Sequence, residues 1–168
     1  ELVAGPVALR TDRPGISRTD VVSAAQMNTA CQAVAPTCDA VIMCAAVADY
    51  TPVLPADQKI KKKDQGMTIE LRSTVDILAG LGNAKHKGQV VVGFALETND
   101  ALAHAQDKLQ RKKLDLLVLN NMNEAGAGFG HDTNKVTLLA PGTDPMELPL
   151  MSKTEVARAI LDRLEDLL

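Results

Sequence analysis

Apolar positions along the chain fall into two kinds of run: short continuous stretches, and longer ones with apolar residues three or four apart. Residues 40–45 and 90–95 are continuous apolar runs of strand length, the pattern of parallel strands buried on both faces, and residues 114–119 read as a third strand. Residues 2–7 read as a shorter strand stopped by Gly5-Pro6, and residues 136–139 as another. Helical patterns lie between them. Ser23-x-x-Gln26 is a capping box opening a helix with Met27, Ala30 and Val34 on its apolar face, ended by Pro36. Thr74 is expected to cap a helix running through Leu81, with Gly80 and Gly82 near its end. From about Asp100 to Lys113 a helix carries Leu102, Ala105 and Leu109 on one side, and Ser152-x-x-Glu155 opens a closing helix.

Strand and helix alternating in this way predict an α/β fold, a Rossmann-like three-layer parallel sheet. Residues 1–168 are expected to form a single domain, with no repeat, low-complexity tract or linker. Lys59-Ile60-Lys61 and residues 67–71 read as an inserted pair of strands around a charged turn. Such an arm is expected to serve as a subunit interface, making the protein a homodimer. In sheets of this class, ligands bind outside the carboxyl ends of the strands. The segments there are residues 45–49, 94–98 and 120–129.

Composition narrows the partners. With 46% hydrophobic residues in 168 there is enough apolar material for one core. One Tyr, two Phe and no Trp make that core aliphatic and leave little to stack on single-stranded bases. A net charge of −3 also argues against nucleic acid, which wants a basic face. Cys31, Cys38 and Cys44 form no CxxC pair and stand near no histidine at metal spacing. No apolar run reaches the ~20 residues of a membrane span, and the first residues lack a signal-peptide pattern. These features read as a cytoplasmic domain with reduced thiols.

The candidate chemistry lies between Met43 and Lys63. An apolar strand ends in small residues, Cys44-Ala45-Ala46-Val47-Ala48, then Asp49-Tyr50, and Lys59-Ile60-Lys61-Lys62-Lys63 follows. Small residues let a flat ligand lie on backbone, an acid takes a ribose hydroxyl, and lysines neutralise phosphates, so the combination suits a nucleoside triphosphate. Each residue also has a structural reading. The lysine run fits a solvated turn, although strand alternation would put Lys59 and Lys61 on one face. Asp49 fits a turn before Thr51-Pro52. The helix after Thr74 offers backbone N–H groups to an anion, while Asp76 there fits a helix-dipole role.

Gly126-Ala127-Gly128-Phe129-Gly130 imitates a dinucleotide fingerprint, but His131 stands where the third glycine belongs and a strand follows instead of a helix. It is rejected as a dinucleotide site and read as a mobile loop. His86, His104 and His131 are isolated, and no GxSxG elbow or complete phosphate loop occurs. Catalysis in such a chain would come from positioning and electrostatic stabilisation.

Four segments occur together in order: residues 45–50; Lys59-Ile60-Lys61-Lys62; Val91-Val92-Gly93-Phe94-Ala95-x-Glu97-Thr98; and Asp115-x-x-Val118-x-Asn120. In this the chain resembles phosphopantothenoylcysteine synthetases, the ligase half of bacterial bifunctional coenzyme A biosynthesis proteins. The resemblance implies a ligase whose substrates are 4′-phosphopantothenate, cysteine and CTP, with Mg²⁺ sharing the phosphate charge. It implies FMN only where a decarboxylase half is fused upstream. It places the backbone of Met43, Cys44 and Ala45 beside the nucleotide and Asp49 in contact with it. Lys59 matches the family's phosphate-binding and catalytic lysine. Val75, Asp76, Ile77 and Leu78 match a further nucleotide-contacting stretch, with Val75 replacing the frequent proline. Phe94 is expected against the nucleotide, and Lys108 and Lys112, at i and i+4, on one helical face pointing to it.

The family also carries a Thr-Ala-Gly-Gly-Thr type turn after a first strand, then an asparagine within Ser-Asn-x-Ser-Ser-Gly. Neither pattern occurs in these 168 residues, so the expectation is a chain without the family's first strand and part of its active site. Two alternatives stand beside the ligase: a CTP-binding, dimerising fragment that cannot complete ligation, and a nicotinamide-dependent reductase domain. The missing GxGxxG and the lysine-rich insert count against the second.

Overall fold

The structure, a computed structural model, describes residues 1–62, 66–97, 100–121 and 130–168, Asn121 by its backbone alone. In chain order the elements begin with β1 (Leu2–Ala4), β2 (Arg18–Asp20), α1 (Ala24–Val34), β3 (Ala40–Met43), β4 (Tyr50–Pro52) and β5 (Leu71–Ser73). Then come α2 (Ile77–Ala84), β6 (Val90–Glu97), α3 (Ala101–Arg111) and β7 (Leu116–Asn121). The chain continues with β8 (Thr133–Asn134), β9 (Val136–Leu139), β10 (Met146–Glu147), β11 (Met151–Ser152) and α4 (Lys153–Glu165). The chain forms two compact units: residues 1–31 with 45–76, and residues 32–44 with 77–168.

The second unit is built on a five-stranded sheet of order β10-β9-β7-β6-β3. The strands β3, β6 and β7 run parallel, as expected. The expectation of a wholly parallel sheet is corrected, because β9 runs antiparallel to β7, and β10 to β9. The β9–β10 connection holds no helix, and a connection that short joins only antiparallel neighbours. Strand periodicity divides the core between two faces. Val90, Val92, Leu116 and Val118 pack with Val156, Ile160 and Leu164 of α4. Val91, Ala95, Leu117 and Leu119 pack with Ala105 and Leu109 of α3. Helix, sheet and helix thus make three layers. Leu116 and Leu117, adjacent and both fully buried, each contribute about 1.5–3 kcal/mol to opposite faces.

Several local expectations need revision. β3 lies at the sheet edge with one strand neighbour, so Ile42 is exposed instead of buried on both faces. Leu102 is exposed as well, and α3 buries only Ala105 and Leu109. On α1 the buried residues are Met27 and Cys31, with Ala30 and Val34 half-buried. Half of its predicted capping box forms: the Gln26 N–H donates to Ser23 Oγ at 3.2 Å, while the Gln26 side chain accepts the Val22 N–H at 2.8 Å in place of that of Ser23. The box on α4 is complete, with the Glu155 N–H on Ser152 Oγ at 3.2 Å and the Ser152 N–H on the Glu155 carboxylate at 2.9 Å.

In the first unit β1 and β2 form a parallel pair, Leu2 opposite Arg18. Arg18 holds the connection between them, donating to the Leu9 carbonyl at 2.8 Å and to the Asp20 carboxylate at 2.9 and 2.8 Å. That bond to Arg18 keeps the Asp20 carboxyl below its usual range. The inserted hairpin is also corrected. The antiparallel pair is β4 with β5, Tyr50 opposite Ser73, while residues 59–62 and 66–70 form no strand. Alternation alone does not make a strand without a partner edge or a buried face, and Ile60, Met67 and Ile69 are all exposed.

Candidate nucleotide-binding site

The sequence-predicted residues divide between the two units. Met43, Cys44, Ile77, Leu78, Phe94, Lys108 and Lys112 belong to one; Ala45, Asp49, Lys59, Val75 and Asp76 belong to the other.

In the second unit the positions follow from the sheet. Met43 ends β3 opposite Gly93, and Phe94 follows on β6, half-buried against the α4-side core. Gly93 is where α2 comes closest: a Cβ there would stand 2.6 Å from Leu78 Cδ2 and 2.9 Å from Leu114 Cδ1. The missing side chain lets Leu78, in the first turn of α2, lie on the strand beside Phe94. Thr74 is not the cap of this helix, which begins at Ile77 with Asp76 immediately before it.

The two candidate lysines of α3 are unlike each other. Lys108 keeps its side chain 24% exposed and its ammonium 3.7 Å from Glu97 Oε1. Lys112 is buried and stands just past the end of α3 as its C-cap, its N–H on the Lys108 carbonyl at 3.0 Å. A Cβ on Gly82 would run into the Lys112 carbonyl oxygen, so the glycine is what allows α2 and the end of α3 to meet. Neither lysine is a freely solvated surface residue.

In the first unit, the segment after Cys44 returns to β4 under the control of Thr74. The Thr74 hydroxyl donates to the Ala48 carbonyl at 2.7 Å, and its N–H donates to the Asp49 carbonyl at 2.8 Å. The Asp49 side chain stays exposed, as do Ala45, Val75, Asp76 and Lys59. The strand alternation that was to fix the direction of Lys59 does not form.

The same unit contains a cavity of about 430 Å³ lined by Gly5, Pro6 and Val7, by Val21 to Ala24 with Met27, and by Ala45 to Ala48. Gly5 and Val21 directly follow the carboxyl ends of the parallel strands β1 and β2, the place where ligands of such sheets sit. Sequence reading treated Gly5-Pro6 as a strand stop and Ser23 as a helix cap. Their position at two parallel strand ends was the available signal.

Two motif residues prove to be structural. Asp115 accepts the Val91 N–H at 2.8 Å and pairs with Lys85 at 2.6 Å, fastening the starts of β6 and β7. Asn120 donates to the Ala95 carbonyl at 3.0 Å and accepts from Asn134 at 2.7 Å. Lys63, Thr98 and the loop at Gly126-Ala127-Gly128-Phe129 lie outside the described residues. Among the described residues no group of three or more His, Cys, Asp or Glu side chains converges as a metal cage, and no helix is long and apolar enough to cross a membrane.

The second unit is an α/β layer structure, and the first carries a cavity at the ends of its own parallel strand pair. The chain belongs to the DNA/pantothenate metabolism flavoprotein C-terminal domain family, whose pattern matches residues 1–168. It is 47% identical over 163 residues to the coenzyme A biosynthesis bifunctional protein CoaBC of Bacillus subtilis (strain 168), covering 97% of this chain and 40% of the relative. It is 46% identical over 163 residues to a cysteine/cysteine sulfinic acid decarboxylase of an unknown prokaryotic organism, covering 97% of this chain and 45% of that protein. The chain thus spans less than half the length of these curated relatives. Among solved structures, the C-terminal domain of a CoaBC protein superposes with a TM-score of 0.78 at 36% identity, over 99% of this chain and 72% of the other.

Proposed function

We propose that this chain is a phosphopantothenate–cysteine ligase domain that uses CTP. A carboxylate oxygen of 4′-phosphopantothenate attacks the α-phosphorus of CTP, the bond to the β-phosphate breaks, and an acyl-cytidylate and pyrophosphate result. The amine of cysteine then attacks the acyl carbon, CMP leaves, and the nitrogen gives up a proton as the amide forms. The observation that carries this reading is the likeness to the CoaBC C-terminal domain, at 36% identity over 99% of the chain. The decarboxylase named for one relative is a protein of which this chain covers only 45%.

The roles follow from charge and position. Pyrophosphate is a polyanionic leaving group, so Lys59, Lys108 and Lys112 supply positive charge to it. Asp49, held through its carbonyl by Thr74, offers its free carboxylate to a sugar hydroxyl. The backbone of Met43, Cys44 and Ala45, the stretch from Val75 to Leu78 that leads into α2, and Phe94 border the nucleotide. Mg²⁺ is expected to travel with the triphosphate, since it keeps several waters and needs few protein ligands. The exposed apolar residues Tyr50, Leu54, Ile60, Ile69 and Leu71 support a second copy covering this arm.

Calorimetric titration of the purified protein with CTP, with ATP as control and Mg²⁺ present, tests the reading. Saturable binding that prefers CTP is expected. Binding of neither nucleotide would overturn it.

A further inference from the structure

Lys108 does not stand alone on α3. Glu97, the last residue of β6, divides its carboxylate between a lysine and a histidine on that helix. Oε1 lies 3.7 Å from the Lys108 ammonium, and Oε2 lies 3.8 Å from His104 Nδ1. His104 and Lys108 are one helical turn apart and so share a face. Glu97 and Lys108 have side chains only 26% and 24% exposed, while His104 is 60% exposed. Glu97 also sits at the carboxyl end of a parallel strand, the ligand edge of this fold class.

An acid beside an anion-binding lysine needs an explanation. Its charge cancels that of the lysine at a distance and repels a triphosphate, so it does not serve to attract nucleotide. A lysine ammonium is a compact charge on a flexible four-carbon stem, and electrostatic catalysis depends on charge already fixed in place. A partly buried carboxylate within ion-pair reach supplies that fixation. Salt screens a pair so placed less than it would an exposed one.

We infer that Glu97 is a positioning residue, holding the Lys108 ammonium where phosphoryl charge develops. The inference rests on the nucleotide role proposed for Lys108 and adds the group that aims it. It has a kinetic signature that a merely structural role lacks. Losing Glu97 removes repulsion of the ground state and also removes alignment, so kcat falls while KM for CTP does not rise.

The test is pyrophosphate release from CTP and 4′-phosphopantothenate by the purified full chain, for Glu97→Gln, Lys108→Gln and the double variant. Glu97→Gln is expected to lower kcat about tenfold with KM for CTP unchanged or lowered. In the Lys108→Gln background the same change is expected to alter kcat by less than about twofold. Retained kcat in Glu97→Gln, with Lys108→Gln impaired, overturns the inference and leaves the ligase reading intact. So does an equal loss in both backgrounds. A silent Lys108→Gln removes the nucleotide role of Lys108 itself. Should Glu97→Gln not fold, Glu97→Asp keeps the charge but shortens the reach, and runs through the same two backgrounds with the same expected split.

Discussion

Thr74 donates its hydroxyl to the Ala48 carbonyl at 2.7 Å, joining positions 26 residues apart. The bond ties the loop leaving the small-residue segment to the end of β5, and the neighbouring Thr74 N–H fixes the Asp49 carbonyl. Thr74→Val keeps the shape and deletes the hydroxyl, which is expected to cost about 0.5–1.5 kcal/mol of stability. CTP affinity should fall severalfold as the Asp49 segment loosens, while Thr74→Ser retains both. Equal CTP affinity of the Val and Ser variants, read by calorimetry, would show that the tether does not set the position of Asp49.

Gly80 and Gly82 lie on the same helix but respond to a methyl group in opposite ways. At Gly82 a Cβ meets the Lys112 carbonyl, a backbone atom that cannot step aside. At Gly80 it meets only the amide end of Gln32, at 3.2 Å. Gly82→Ala is therefore expected to destabilise by about 1–3 kcal/mol through overpacking and to displace Lys112. Gly80→Ala is expected to gain up to about 1 kcal/mol of helix propensity. Urea midpoints moving in opposite directions would bear this out, and midpoints moving together would contradict the close approach of α2 to the end of α3.

How much of this was readable in advance depended on whether a residue's state is set locally. β6, β7, β9 and α4 were legible because continuous apolar runs and a complete Ser152/Glu155 box leave few alternatives. β2 was not. Arg-Thr-Asp has no strand pattern, and only pairing with β1 makes it one. The alternation of Lys59-Ile60-Lys61 misled for the converse reason, since the chain spends its pairing on Tyr50 to Pro52 with Leu71 to Ser73. In the site, residue chemistry pointed to Asp49 and the Lys59 run, and the resemblance supplied Lys108 and Lys112. The Glu97 fork and the Gly82–Lys112 approach come from β6, α2 and α3 meeting in space, which no spacing in the sequence encodes.

Acid stability should carry the mark of the α4 cap. The Ser152 hydroxyl donates to the Glu155 carboxylate at 2.6 Å and the Ser152 N–H at 2.9 Å, and these bonds hold the carboxyl below its ordinary 4.5. A carboxyl whose folded value is depressed stabilises the fold above its unfolded value, and that stability is lost as pH falls through the folded one. Glu155→Gln keeps a capping side chain without the titration. Its thermal midpoint should therefore fall less than that of the parent between about pH 6 and about pH 3. Asp20, depressed mainly by Arg18, titrates in both proteins and cancels from the difference. Parallel midpoint curves would remove the assigned role.

Lys59 separates chemistry from folding most cleanly. It is exposed, in a segment without regular structure, so Lys59→Gln removes charge without opening a cavity and should leave stability within about 0.5 kcal/mol. In the ligase reading the same change withdraws a cation from the departing pyrophosphate, and removing one group that stabilises transition-state charge costs about 10²–10³ in kcat. Turnover should fall by that order while the thermal midpoint holds. Because the side chain meets solvent, salt should screen part of its contribution, and the gap between parent and variant should narrow as ionic strength rises. Pyrophosphate release unchanged in Lys59→Gln would mean that the lysine run is a solvated turn and that the leaving group is stabilised by other residues.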